Sequence, residues 1–245
     1  MKSYLPVALL LFGSLYCNAQ APRRSFVAFS ILAPIPTGQY GSSDPEGENP
    51  LLAKTGMGLG IEGAFMFHPY IGVGGMVTGI SNRFDDAEFN SFLKDGYNNQ
   101  FPVVSATTES SSHWVQASML GIYGSLPLKR ISVDAKLLGG LFSYQFPSIR
   151  SVFSNGEVEF VHKVNADKAT SFGINAGVGA RMQLTNHLML RATVDYLQGN
   201  VEATLFQSAT YTNGRVIGTN QSEQSFTISM INLGIGLAYQ INNEK

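Results

Sequence analysis

Charge is scarce in this sequence. Only 13% of its 245 residues are Asp, Glu, Lys or Arg, about half of the roughly 25% usual for soluble globular proteins, so something other than a charged surface must keep the chain dispersed. The formal net charge is −1 at pH 7, which removes the electrostatic case for a nucleic-acid partner. Cys17 is the single cysteine, so neither a disulfide framework nor a cysteine metal site is available. Past the N-terminus no run of about 18 apolar residues exists to make a membrane helix. The Gly-x-Ser-x-Gly nucleophile elbow and the His-Glu-x-x-His zinc motif are both absent. Gly58-Leu59-Gly60-Ile61-Glu62-Gly63 matches the dinucleotide fingerprint as a string, but no helical pattern follows it and the chain turns at His68-Pro69. No cofactor or metal set is expected.

What the sequence has is alternation. Phe172, Ile174, Ala176, Val178, Ala180, Met182 and Leu184 are apolar, while Gly173, Asn175, Gly177, Gly179, Arg181 and Gln183 are polar or glycine. A period of two over thirteen residues is a strand with one greasy and one hydrophilic face, long enough to cross a bilayer, which takes about 9 to 11 residues at a tilt. The same pattern recurs over Leu188 to Leu197, Ile131 to Leu141, Gly56 to Phe65 and Ile71 to Thr78. Near the C-terminus Ile231, Leu233, Ile235, Leu237, Tyr239 and Ile241 alternate with Asn232, Gly234, Gly236 and Gln240. Upstream, Phe226, Ile228 and Met230 fall on the opposite parity, which predicts a β-bulge near Ser229 to Ile231. Ser25 to Ala33 and His113 to Ser125, where neither face is clearly polar, bring the strands to eight.

Connections alternate strictly in length. Brief links lie around His68, at Pro127 to Arg130 and at Thr185 to His187; long polar ones lie at Gly38 to Ala53, Arg83 to Ser112, Pro147 to Lys168 and Gln207 to Glu223. Tight periplasmic turns and longer external loops are the pattern of outer-membrane barrels. Phe67, Tyr70, Tyr123 and Tyr239 near the short turns, with Tyr40, Trp114, Tyr144, Phe172, Phe206 and Phe226 near the long loops, read as two interfacial girdles. The expected fold is all-β: an eight-stranded antiparallel up-and-down transmembrane β-barrel.

Lys2, the apolar stretch Leu5 to Leu15 and Cys17-Asn18-Ala19 read as a secretory signal over residues 1–19, cut after Ala19, with the barrel domain over residues 20–245. With the segment Pro36-Thr37-Gly38-Gln39-Tyr40, the glycine-rich paired strands and the eight-strand spacing, the chain resembles the small outer-membrane barrels of the OmpA and OmpX type. Its Asn18-Ala19-Gln20 junction is similar to that of the outer-membrane β-barrel domain, or PorT-like, proteins of Bacteroidota. The resemblance implies residence in the bacterial outer membrane. Such barrels commonly end in an aromatic residue; here Tyr239 is followed by Gln-Ile-Asn-Asn-Glu-Lys.

With the apolar parity facing lipid, Glu62, Asp134, Lys136, Arg181, Arg191 and Asp195 face the lumen, three acids against three bases. An eight-stranded barrel is just wide enough to fill with side chains, and buried charge is tolerable only when paired. These six residues are therefore expected to form a structural ion-pair network; a narrow ion path or a re-pairing gate is the alternative use of the same charges. In the longest loop, Asp85 and Glu88 form a capping box for a short helix that gathers Phe89, Phe92 and Leu93 on one side, ends at Gly96 and folds over the barrel mouth. Its acids Asp85, Asp86, Glu88 and Asp95 lack the spacing of a calcium loop.

The functional expectation is a non-enzymatic integral outer-membrane protein, structural or accessory to a secretion or adhesion assembly, in contact with outer-membrane lipid and with other envelope proteins through its external loops. Two alternatives stand beside it. One is an outer-membrane lipid-modifying or proteolytic enzyme using His113 beside Ser110 to Ser112, or His162 near Glu157 and Glu159, at the external rim. The other is a soluble lipocalin-like binder. Parity makes a direct prediction: Leu190→Arg on the lipid face costs roughly 2 to 4 kcal/mol near the midplane, measured by urea unfolding in lipid vesicles. Undiminished stability would show that strand to be facing the other way.

Overall fold

The computed structural model describes residues 24–43, 50–98, 105–154, 159–211 and 216–242; the signal-peptide reading lies outside them. Eight strands form a ring: β1 (Arg24–Thr37), β2 (Met57–Met66), β3 (Ile71–Asn82), β5 (His113–Leu128), β6 (Ile131–Gln145), β9 (Lys168–Gln183), β10 (Leu188–Tyr211) and β11 (Val216–Asn242). Each pairs antiparallel with its neighbours, and pairing of β11 with both β10 and β1 closes the cylinder. Tight links at Phe67 to Tyr70, Lys129–Arg130 and Leu184 to His187 join the strands at one end.

Why the chain closes is a matter of what each strand leaves outside. Phe29, Ile61, Val77, Ile122, Leu137, Val178, Val194 and Ile235 are all at least 48% exposed, and together they make an apolar belt around the ring. In hydrocarbon every backbone amide must be satisfied within the protein, which a closed sheet achieves and an open edge does not. The inward row of β6 is buried at Ser132, Asp134, Lys136, Leu138, Phe142 and Tyr144 and half-buried at Gly140.

The long connections are not simply loops. Three further strands, β4 (Ser105–Ser110), β7 (Ile149–Ser154) and β8 (Glu159–Ala166), lie within stretches that read as polar links. They continue ring strands above the belt: Gln145 opposes Lys168 and, past an interruption, Ile149 opposes Val164 in the same register. Likewise Trp114 opposes Gln145, and Ser110 opposes Ile149. β8 then pairs with the upper part of β10, which with β11 runs far beyond the length needed to cross a bilayer. A five-stranded sheet, β4-β7-β8-β10-β11, thus rises above one side of the ring. Its outer surface is hydrophilic, with Glu109, Arg150, Lys163, Glu202 and Glu223 exposed, so the apolar belt ends where the raised sheet begins.

Two helices stand at the same end. α1 (Gly38–Gly41) follows β1 and buries Tyr40. α2 (Asp86–Asn98) starts at an N-cap, with the Glu88 amide donating to Asp85 Oδ1 at 3.3 Å; it runs past Gly96 rather than ending there. Lys54 pairs with Asp85 at 2.7 Å, and Thr108 of β4 donates to Asn90 at 2.7 Å, fastening the helix between the 50–56 segment and the raised sheet.

The bulge expected near Ser229 is absent. β10 and β11 pair without a shift from Leu197–Met230 to Gly199–Ile228, and the one irregularity in that ladder falls between Ala209 and Thr210. The change of apolar parity has another cause: Phe226, Ile228 and Met230 are 2%, 0% and 0% exposed because the interior itself turns apolar toward the loop end. The same change divides the girdle aromatics. Phe67, Tyr239, Trp114, Phe172 and Phe206 lie on the outside and Tyr70 is half-buried in its turn, whereas Tyr123, Tyr40, Tyr144 and Phe226 are buried within. The unbroken pleat predicts that Glu202→Cys reacts with a membrane-impermeant maleimide on whole cells while Val201→Cys, inward and 0% exposed, does not. Labelling of Val201→Cys and not of Glu202→Cys would reverse the pleat.

Candidate functional site: a sealed lumen beneath an apolar mouth

Strand register places the six charged lumen residues on four strands, and the width of the ring decides which of them meet. Arg181 of β9 holds Asp134 of the adjacent β6 in a fork, Nε to Oδ2 at 2.6 Å and Nη2 to Oδ1 at 2.7 Å, and donates to Ser125 Oγ at 3.1 Å. Bidentate pairing of this kind is the strongest way to satisfy a buried guanidinium. The other four form a chain across the lumen. Lys136 Nζ lies 2.5 Å from Glu62 and 3.1 Å from Asp195, and Arg191 donates to the second oxygen of Glu62. Phe26 joins the two groups, with the Arg181 guanidinium 4.0 Å and that of Arg191 5.3 Å from its ring centre. All six side chains are at most 9% exposed.

Glycine makes this crossing possible. Gly177 on β9 faces Asp195 on one side and Lys136 on the other, and a Cβ there would collide with the Asp195 carboxylate and crowd the Lys136 stem. The alternation shows that Gly177 points inward; that it clears the path between two ion-pair partners is visible only once the strands are closed.

Above the charges the lumen is filled with carbon. Leu138, Met119, Leu197, Phe142, Val115, Ile80 and Ile228 pack there, all at most 2% exposed. Phe142 lies against the bare backbone of Gly199, where any side chain would strike its ring. A cluster of rings completes the plug. Tyr40 meets His113 and Tyr144 edge-on at 5.4 and 6.1 Å, and His113 Nδ1 lies 2.7 Å from the Tyr144 hydroxyl. Tyr40 donates to Asn82 Oδ1 at 3.2 Å, and burial pushes its phenol well above the ordinary tyrosine range.

These placements bear on the catalytic candidates. His113 is not at the rim; it is wholly buried in the aromatic plug. His162 stands apart from it on β8, where burial holds its pKa below the usual histidine value. Glu157 lies outside the described residues. Among the described residues no group of three His, Cys, Asp or Glu is arranged to hold a metal ion.

At the loop end a second apolar cluster, Leu52, Phe84, Ile149 and Val164 with Phe89, Phe92 and Phe146 packed against it, sits between α2 and the concave face of the raised sheet. A cleft of about 380 Å³ opens beside it, bordered also by Leu51 and Phe226 of the plug, while Phe84 and Phe146 carry the packing on to His113. The sequence showed the apolar side of α2 but not its counterpart, because the facing residues come from β7, β8, β10 and β11.

Lys136 is the cation shared by two carboxylates, so Lys136→Met leaves Glu62 with one partner and Asp195 with none among the described residues. Breaking a buried pair from one side costs about 3 to 5 kcal/mol, and adding Asp195→Asn is expected to recover a substantial part of that loss. Urea unfolding of both variants in vesicles checks this; equal stabilities for Lys136→Met and the parent would show that the chain of charges contributes nothing.

Among solved structures the chain is similar to the attachment invasion locus protein Ail of Yersinia pestis, at 10% identity and TM-score 0.41 over 89% of this chain and 99% of that one. It is similar to Neisserial surface protein A at 11% identity and TM-score 0.42, over 89% and 97% of the two chains. The outer membrane protease OmpT of Escherichia coli is matched at 9% identity and TM-score 0.43, over 91% and 98%. No curated protein sequence matches the chain. The family model for the outer membrane protein beta-barrel domain matches residues 7–240. The chain therefore belongs to the outer membrane β-barrel domain family, and its place is the bacterial outer membrane.

Proposed function

We propose that this protein is a non-conducting, non-enzymatic barrel that serves as a rigid stalk, holding the raised sheet and α2 at the cell surface for contact with other envelope components, a secretion or adhesion assembly among them. The observation that carries this reading is the continuation of ring strands into the β4-β7-β8-β10-β11 sheet without change of register. Loops on a rigid scaffold are where binding usually resides, and here much of what would be loop is itself sheet, joined by hydrogen bonds to the membrane-spanning ladder.

The interior supports the same reading. Two different seals lie in series: a paired and desolvated charge layer, and above it an apolar plug. A cavity at the charge layer, beside Asn175 and Asp195, amounts to about 10 Å³, room for about one water molecule. An ion crossing there would have to break buried pairs and then shed its hydration shell among hydrocarbon side chains. Outside, the raised sheet shows charges of both signs, including the exposed pair Glu109 and Arg150 at 3.9 Å, a surface suited to a polar protein partner and not to lipid.

Two measurements test the proposal. In planar bilayers the purified protein is expected to give no stepwise conductance; regular openings would contradict the sealed lumen. A photo-crosslinking residue at Arg150 or Glu202 is expected to yield a discrete protein adduct in intact cells, while the same residue at lipid-facing Leu137 yields none. Adducts absent from all three positions, or equal at all three, would contradict an interaction surface on the raised sheet.

A further inference from the structure

The cleft under α2 has the properties of a ligand site. Its size, about 380 Å³, lies within the ~300–1,000 Å³ of small-molecule pockets. Phe89 and Phe92 line it from the helix, Phe146 and Val164 from the raised sheet and its hinge, and Leu205 and Phe226 from the long hairpin below. Its walls are held apart by fixed contacts. The Lys54–Asp85 ion pair and the Thr108–Asn90 hydrogen bond anchor the helix, and the strands behind belong to the continuous ladder.

Polar groups are few and uncharged in kind. No Asp, Glu, Lys or Arg is among the described residues lining the cleft; His162, Gln207 and Gln224 are its hydrogen-bonding members. His162 Nδ1 is buried and has no hydrogen-bond partner among the described residues, a costly state for a ring nitrogen. Desolvation lowers its pKa, which leaves the ring neutral at pH 7. Among the described residues an anionic headgroup would find no cation there, and a cationic one no carboxylate.

We infer that this cleft binds a neutral amphiphile: a linear hydrocarbon chain lying between the α2 phenylalanines and the Val164 and Leu205 wall, with an uncharged hydrogen-bonding end, an alcohol or an ester, meeting His162 and the amides of Gln207 and Gln224. Two sources supply that chemistry, a free small amphiphile and the acyl ester of a neighbouring lipid.

The test uses the full-length mature barrel in nanodiscs, with the fluorescent apolar probe 1-aminoanthracene and two competitors at pH 8, 1-dodecanol and sodium dodecanoate. The parent protein is expected to bind the probe saturably above empty nanodiscs and to release it to dodecanol at concentrations at least tenfold lower than to dodecanoate. Val164→Trp, which fills the cleft, is expected to abolish saturable binding; Leu137→Trp, on the lipid belt, is expected to leave it unchanged. Heat-dependent gel mobility identifies folded barrel in each sample. His162→Phe is expected to keep probe binding and lose most of the preference for dodecanol. Running the titration in unbranched dioleoyl and in branched diphytanoyl phosphatidylcholine separates the sources: weaker probe binding in the unbranched lipid assigns the site to lipid chains, and equal binding assigns it to a free amphiphile. Absence of saturable binding, undiminished binding by folded Val164→Trp, or equal displacement by alcohol and carboxylate would each overturn the inference.

Discussion

Contact between the outward apolar row and hydrocarbon is the constraint from which the rest of this structure follows. A strand surrounded by lipid has no water to satisfy its backbone, so the ladder must close on itself. Closure with eight strands fixes a narrow bore, and whatever polar residues the inward row carries are then confined together. Glu62, Asp134, Lys136, Arg181, Arg191 and Asp195 are tolerated because their charges sum to zero and their positions let each carboxylate meet a cation. The same closure explains the low charge content of the chain, since half of each membrane-spanning segment must be acceptable to lipid.

The interior changes character along the barrel axis, and this gives the molecule its division of labour. Near the middle the lumen is polar and ion-paired; toward the loop end it becomes aliphatic and aromatic, ending in the Tyr40, His113 and Tyr144 rings. Outside, the gradient runs the opposite way, from the apolar belt to the charged face of the raised sheet. Above the membrane the protein therefore resembles an ordinary water-facing sheet with a helix packed on its concave side, and its apolar material is gathered inside.

The sequence revealed the ring wherever the two faces differ. Along β6 and β9 a lipid-facing Leu137 or Val178 alternates with Lys136 or Arg181, so both strand and orientation can be read from period two. Along the upper part of β11 the inward Phe226, Ile228 and Met230 are as apolar as lipid-facing residues, and the contrast that fixes orientation disappears; the sequence pattern there mimics a bulge, while the ladder runs unshifted. β4, β7 and β8 leave no clear period-two trace for a related reason. Alternation slips by one residue at the interruptions around Ser111–Ser112, Phe146 to Ser148 and Asp167, so a fixed period breaks there and polar composition resembles loop. The six lumen charges were legible one by one because each opposes an apolar neighbour, but their partners were not: Glu62 and Lys136 meet across the bore, and sequence spacing carries no information about such contacts. The cleft was out of reach for the same reason, its walls coming from α2, β7, β8, β10 and β11 at once.

The most direct measurement of the central claim is the depth and sidedness of β9 in a bilayer. With Trp114 replaced by Phe, a single tryptophan is placed in turn at consecutive positions from Phe172 to Met182, and its fluorescence is recorded in vesicles of brominated phosphatidylcholine. Strong quenching is expected at the outward positions Phe172, Ile174, Ala176, Val178, Ala180 and Met182, and weak quenching at the inward positions Gly173, Asn175, Gly177, Gly179 and Arg181. Uniform quenching along the strand, or strong quenching at Asn175 and Arg181 with protection of Val178, would contradict it.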